Sequence, residues 1–171
     1  EFHEALNWAS REKLPVIFHV EDNEYAISVH ISEQTSGGSV YSMVSGYQNL
    51  ARYNIDGTDF FEANLDFQKG VERARKGKGP SVIVSNVVRL FPHSSSDDQR
   101  KYRTEKDLET DKKRDPIFKF EETCIEANVV NKKEFDKIRN EVQIQVDAES
   151  KWAEDQDHPP ASTALDFNYS P

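Results

Sequence analysis

Asn23 and Tyr25 stand just beyond a short apolar run, Val16-Ile17-Phe18-His19-Val20, and His93 stands just beyond another, Ser81–Val88. An apolar run that ends in acids and amides is the sequence mark of a strand reaching the carboxyl edge of an open α/β sheet, where such folds place ligands. Asn23 can offer a hard side-chain oxygen, and Tyr25 its backbone carbonyl, to a small cation such as Mg²⁺. The plainer alternative is that Asn23 satisfies an ordinary turn. His93 can donate to a phosphate or serve as an acid near neutral pH, or it can be a surface loop residue. Ser94, Ser95 and Ser96 with Asp97 and Asp98 read either as a phosphorylation segment or as a solvated loop. A phosphate on Ser94 would place up to about two negative charges beside His93. Arg100 and Arg103 are candidates to order that loop by pairing with Asp97 or Asp98. Cys124 lies on a helical apolar face with no histidine near it in sequence and reads as core.

The elements that must position these groups follow from periodicity. Residues 1–13 carry Phe2, Ala5, Leu6 and Ala9 at helical spacing, and Leu14-Pro15 stops that helix. The continuous apolar run 16–20 predicts a strand covered on both faces, as in a parallel sheet. Residues 30–50 hold Gly37, Gly38, Gly46 and many serines, which predicts a long, partly irregular loop with one helical turn. Residues 52–55 form a second strand candidate, followed by the turn Asp56-Gly57-Thr58-Asp59, with Thr58 or Asp59 placed as a cap. Residues 60–77 then have Phe60, Ala63, Phe67, Val71 and Ala74 along one side of a helix, which Gly70 weakens. Strand, turn, helix, strand makes a βαβ unit, so consecutive strand ends return to one edge and the loops bearing Asn23 and His93 meet there. Residues 105–127 predict two helices broken at Asp115-Pro116, with Ile117, Phe120, Cys124 and Ile125 on the buried side. Residues 132–157 predict one long amphipathic helix with Phe135, Ile138, Val142 and Val146 in a stripe.

Composition narrows the function classes. The 171 residues carry 22 basic and 31 acidic side chains, a net charge of −9, which argues against nucleic acid as the main partner. One cysteine rules out an internal disulfide and fits a reducing compartment. No apolar run approaches the length of a membrane span. The opening at Glu1, already in helical sequence, suggests an internal piece of a longer polypeptide. No GxGxxG fingerprint, P-loop or Cys/His metal spacing is present.

The same segments resemble a known family, the α subunit of the thiamine-diphosphate-dependent decarboxylating component of 2-oxo acid dehydrogenase complexes. EFHEALNWA at 1–9 is similar to the family's FHEALNLA. LPVIFHVEDNEYAIS at 14–28 is similar to LPVIFVVENNGYAIS. DGTD at 56–59 resembles DGND, residues 79–98 resemble a strand and loop ending R…HSxSDD, Tyr102-Arg103 matches the YR after it, and DPI at 115–117 matches the DPI that opens the family's next helix. The resemblance covers about residues 1–157. It implies an α/β fold: the C-terminal part of a thiamine diphosphate-binding doubly wound parallel sheet over residues 1–104, C-terminal helices over 105–158, and a tail or linker at 159–171. It implies Mg²⁺ ligation by Asn23 and the Tyr25 carbonyl, Ile27 beside the aminopyrimidine ring, and His93 at the catalytic side of the cofactor. Ser94 would be a regulatory phosphoserine, with Asp97, Tyr102 and Arg103 ordering the 89–104 loop. The implied partners are a β subunit or fused β-like domain and a lipoyl-bearing acyltransferase component, in a bacterial cytoplasm or a mitochondrial matrix. Ser32-Glu33-Gln34 and Ser96-Asp97-Asp98 look more like the branched-chain type than the pyruvate type, with acetoin dehydrogenase or a degenerate non-catalytic relative as alternatives. Asp22 and Glu24 stand where the family has Asn and Gly, and Phe91-Pro92 replaces a Gly-His or similar pair. The Gly-Asp-Gly half of the cofactor motif belongs upstream of residue 1.

Overall fold

The computed structural model describes residues 1–166, which divide into two compact units, 1–123 and the segment from Cys124 onward. The first unit opens with α1 (Phe2–Glu12), which buries Leu6, Ala9 and Ser10. Its end is set one step before Leu14-Pro15, at Lys13. That residue turns left-handed (φ 53°) and returns its N–H to the last-turn carbonyls.

Three parallel strands follow: β1 (Ile17–Asp22), then, after a short hairpin, β4 (Ala51–Asp56) and β5 (Ser81–Asn86). The hairpin is β2 (Tyr25–Ala26) with β3 (Val29–His30). The sheet order is β1-β5-β4, in a register that aligns Asp22, Asn86 and Asp56 across the carboxyl edge. Full burial was expected of β1, but it falls to β5, whose first five residues are buried. β1, like β4, is an outer strand with a single neighbour, and it is only half-buried.

Residues 30–50 are more ordered than their composition suggests. They form α2 (Ile31–Gln34), α3 (Val40–Met43) and 3-10 turns at Ser36–Gly38 and Val44–Gly46. The polar residues that made the stretch read as a loop act as caps: His30 Nδ1 accepts from the Ser32 N–H, and Ser39 Oγ from the Ser42 N–H.

α4 (Phe60–Arg75) joins β4 to β5. Asp59 caps it, accepting from the Phe61 and Glu62 N–H groups at 3.0 and 3.1 Å. Gly70, which costs helix stability, lies on the inner face of α4. It is buried against the sheet, where a Cβ would make ordinary contacts of 3.4 Å with Ile83 Cδ1 and 3.6 Å with Ile17 Cδ1. Gly57 is required by close approach. A Cβ would meet Val87 Cγ1 at 2.6 Å and Ser85 Cβ at 2.8 Å. Against the other face, Leu6 and Val44 pack with Val82 and Val84, flanked by Phe18 and Val20. With α4 on one side and α1 on the other, the parallel sheet is covered on both faces.

Beyond β5, α5 (Glu105–Lys113) begins with a Thr104–Asp107 capping box, and α6 (Pro116–Glu126) begins at the expected proline. Cys124 is buried as expected, but Ile117 and Ile125, predicted on the same buried side, are exposed. α7 (Lys132–Glu154) opens with an Asn131–Glu134 capping box. Phe135 is buried, whereas Ile138, Val142 and Val146 remain about half exposed. The helix closes at Asp155, ahead of His158. Of the expected tail, Ala161–Thr163 makes a 3-10 turn, and its last five residues lie outside the described ones. Among the described residues, no helix is long and apolar enough to cross a membrane.

Candidate functional site

β1 delivers its last residue to a chain reversal built from side-chain oxygens. Asp22 Oδ1 accepts from the Glu24 N–H at 2.9 Å, and Asn23 Oδ1 accepts from the Tyr25 N–H at 3.0 Å. These are local turns that Asp and Asn make readily, so the plainer reading of Asn23 is correct as far as it goes. One N–H occupies only one of the two acceptor positions of the amide oxygen, so the second stays available to a cation. The backbone here is unusual: Glu24 stands at φ 66° and Ile27 at φ 55°, both left-handed. A β-branched residue in that region is uncommon, and such conformations persist where surrounding contacts hold them. A cleft of about 250 Å³ lies here, lined by Asp22, Asn23, Glu24 and Tyr25 together with Gln34 and Thr35.

The contact holding Ile27 comes from Arg89, in the loop after β5. Arg89, three residues past β5, donates from Nη1 to the Ile27 carbonyl at 2.7 Å and from Nη2 to the Tyr102 hydroxyl at 2.6 Å. Its guanidinium also lies 5.3 Å from the Tyr25 ring centroid and 5.6 Å from that of Tyr102, a cation–π arrangement with both. The Tyr102 hydroxyl passes a hydrogen bond on to Asp97 Oδ2 at 2.6 Å, and the same oxygen accepts from the His93 N–H at 3.0 Å. A continuous chain thus runs from Ile27 through Arg89, Tyr102 and Asp97 to the backbone of His93. Hydrogen bonds from Tyr102 and from the His93 N–H hold the Asp97 carboxyl below its ordinary value, so it stays ionised as the acceptor. Burial, then donation to Asp97, pushes the Tyr102 phenol up. In the sequence Arg89 is marked by its place after an apolar strand and as the first residue of the R…HSxSDD pattern.

The remaining expectations divide. Arg100 pairs with Asp98 at 2.8 Å, as expected. Arg103 does not reach Asp97 or Asp98. It is buried, donates to the Arg89 carbonyl and to Gln99, and forms an ion pair with Asp111. Its guanidinium also sits 5.2 Å from the Tyr25 ring. It therefore supports the loop from beneath, because α5 brings Asp111 to it. His93, Ser94, Ser95 and Ser96 are exposed, and the Ser94 and Ser96 hydroxyls are 3.2 Å apart.

A second polar group occupies the same edge at the end of β4. Asp56 accepts from the Thr58 N–H and hydroxyl at 2.9 and 2.6 Å and from Lys119 Nζ at 3.0 Å. Burial raises its pKa, but the Thr58 and Lys119 contacts outweigh that and bring it down to about 2. A carboxyl whose folded value lies below its unfolded value of about 3.9 contributes stability above that value and loses it as pH falls towards the folded one. Acid titration should therefore show the stability gap between wild type and Asp56→Asn closing between about pH 4 and 2. A gap that persists unchanged at the acid end would refute this account.

Hard oxygen donors at Asn23 and Tyr25 suit Mg²⁺. Among the described residues, however, no group of three or more His, Cys, Asp or Glu is gathered for a metal. The side-chain oxygen of Asn23 and the carbonyl of Tyr25 are the two hard donors that this hairpin could offer such an ion.

The fold and this edge define an α/β domain whose candidate site is assembled by the loops after two adjacent parallel strands. More narrowly, the chain belongs to the dehydrogenase E1 component family, which matches residues 1–162. It is 33% identical to the 2-oxoisovalerate dehydrogenase subunit alpha of Bacillus subtilis over 170 residues, 99% of this chain and 51% of that protein. It is 33% identical to the 3-methyl-2-oxobutanoate dehydrogenase subunit alpha of Mycobacterium tuberculosis over 70% of this chain and 32% of that protein. Similarity to the pyruvate dehydrogenase E1 component subunit alpha of Porphyra purpurea is 31%, over 90% of this chain and 44% of the relative. The chain thus spans about half or less of the length of these relatives.

Proposed function

We propose that this chain is the cation-binding half of the α part of a thiamine-diphosphate-dependent 2-oxo acid dehydrogenase acting on branched-chain 2-oxo acids. The observation that carries the reading is the joining, through Arg89, of the Asn23–Tyr25 hairpin to the His93 loop, in a chain of the E1 family. Asn23 Oδ1 and the Tyr25 carbonyl would hold Mg²⁺ against the diphosphate. Ile27, exposed on its strained turn, would offer its side chain to the aminopyrimidine ring. When bound, thiamine diphosphate supplies the carbanion nucleophile and the electron sink that decarboxylation requires. His93 would hold a proton at an imidazole nitrogen and balance negative charge as the acyl group passes to lipoyl. Asp97, Tyr102, Arg103 and Arg89 keep its loop in one conformation. Phosphorylation of Ser94 would add about two negative charges next to His93, from whose N–H Asp97 must accept, loosening that loop by repulsion.

A β subunit or fused β-like domain would complete the site, and a lipoyl-bearing acyltransferase component would receive the acyl group, in a bacterial cytoplasm or a mitochondrial matrix. The branched-chain preference is supported by Ser32-Glu33-Gln34, by Ser96-Asp97-Asp98 and by the names of two relatives. The pyruvate relatives support the second reading, a pyruvate dehydrogenase. With Mg²⁺ and thiamine diphosphate, the full-length protein with its β part should decarboxylate 2-oxoisovalerate with a kcat/KM at least about tenfold above that for pyruvate, the scale that a few methyl groups in a pocket provide. The reverse order would replace the branched-chain assignment by the pyruvate one. No turnover of either, with no cofactor binding, would point to the non-catalytic relative.

A further inference from the structure

We propose that Glu24 lowers the affinity of the carboxyl-edge cleft for an anionic cofactor, by charge. The proposal rests on the reading of this cleft as the metal and diphosphate site. Glu24 occupies a glycine-like backbone conformation, φ 66°. Its main chain is pinned on both sides, the N–H by Asp22 Oδ1 at 2.9 Å and the carbonyl by the Ile31 N–H at 2.7 Å. The turn therefore needs no side chain at this position, and a Cβ is disfavoured there.

The carboxylate that is nevertheless present is poorly neutralised. It is 67% exposed, and His30 Nε2 stands 3.9 Å away, beyond hydrogen-bond reach. Glu21 and Asp22 line the same cleft, and none of the residues lining it is lysine or arginine. The two arginines packed on the Tyr25 ring stand outside this lining: Arg89 donates to the Ile27 carbonyl and the Tyr102 hydroxyl, and Arg103 pairs with Asp111. A diphosphate drawn to a cation at Asn23 and Tyr25 thus meets an uncompensated negative charge on the residue between the two. Repulsion between partly exposed charges is weakened by salt, which separates a charge effect from a steric one.

The test uses the full-length protein with its β part, at saturating Mg²⁺, with thiamine diphosphate titrated by isothermal calorimetry. Wild type, Glu24→Gln and Glu24→Gly are compared at low and high potassium chloride. Gln removes the charge and keeps the side chain on its left-handed backbone; Gly removes both. Both variants should bind about fivefold or more tightly than wild type at low salt, and the difference should shrink as salt screens the repulsion. Tightening by Gly alone would make the effect one of backbone strain and overturn the proposal. So would a difference insensitive to salt, or equal binding by all three proteins, which leaves the cofactor reading standing. If none of the three binds, the reading of the cleft fails and the proposal fails with it.

Discussion

Arg89→Ala is expected to cut turnover by the full-length enzyme about a hundredfold, the scale set by misplacing a catalytic group by about an ångström. The substitution removes two charge-assisted donors at once, to the Ile27 carbonyl and the Tyr102 hydroxyl. Each such hydrogen bond contributes about 1.5–3 kcal/mol. Without them the left-handed turn at Ile27 loses the contact that holds it. Tyr102 also loses the donor that fixes its hydroxyl towards Asp97, and with it the anchor of the His93 backbone. The same variant should become sensitive to limited proteolysis across residues 90–104, where wild type resists. Arg89→Lys should rescue little, because one ammonium cannot span a carbonyl and a phenol as a planar fork does. Wild-type turnover together with a protected loop in Arg89→Ala would show that the two loops hold their positions independently.

Leu6→Ala should destabilise the protein by about 2–5 kcal/mol, as a large-to-small change in a packed core does. Leu6 is fully buried and sits with Val44, Val82 and Val84 at the junction of α1, the 3-10 turn at Val44–Gly46 and the central strand. The cavity would open where three elements meet. The measurement is the denaturant midpoint of the full-length protein, with the slope unchanged. Trp8→Ala, on the 62% exposed face of the same helix, supplies the control and should stay within about 0.5 kcal/mol of wild type. A comparable loss from both would mean that the outer face of α1 is packed as tightly as the inner one.

The sequence by itself determined the elements and where they end. Period and punctuation are local properties, so α1, β4, α4, β5 and the break before Pro116 could be read from spacing, caps and glycine-proline signals. It also determined that Asn23 and His93 belong to loops at one edge, because parallel crossovers return strand ends there. Burial was decided only by the tertiary structure. Val16–Val20 and Ser81–Val88 are equally apolar runs, yet β5 has neighbours on both edges and β1 on one, and no local pattern records a strand's rank in a sheet. The caps of residues 30–50 were hidden for a related reason: serine and glycine look alike in a loop and in a chain of capped turns until hydrogen bonds are drawn. The pairing of Arg103 was missed for a different reason: Asp111, only eight residues on, is presented to it by the turns of α5 rather than by adjacency in the loop. Above all, sequence placed Asn23, Tyr25 and His93 near one another without saying what fixes them. Tertiary structure supplied Arg89, sixty-two residues from Ile27 in the chain and 2.7 Å from its carbonyl. A guanidinium's partners depend on which backbone oxygens the fold leaves unpaired within its reach, and that is settled only when the sheet has formed.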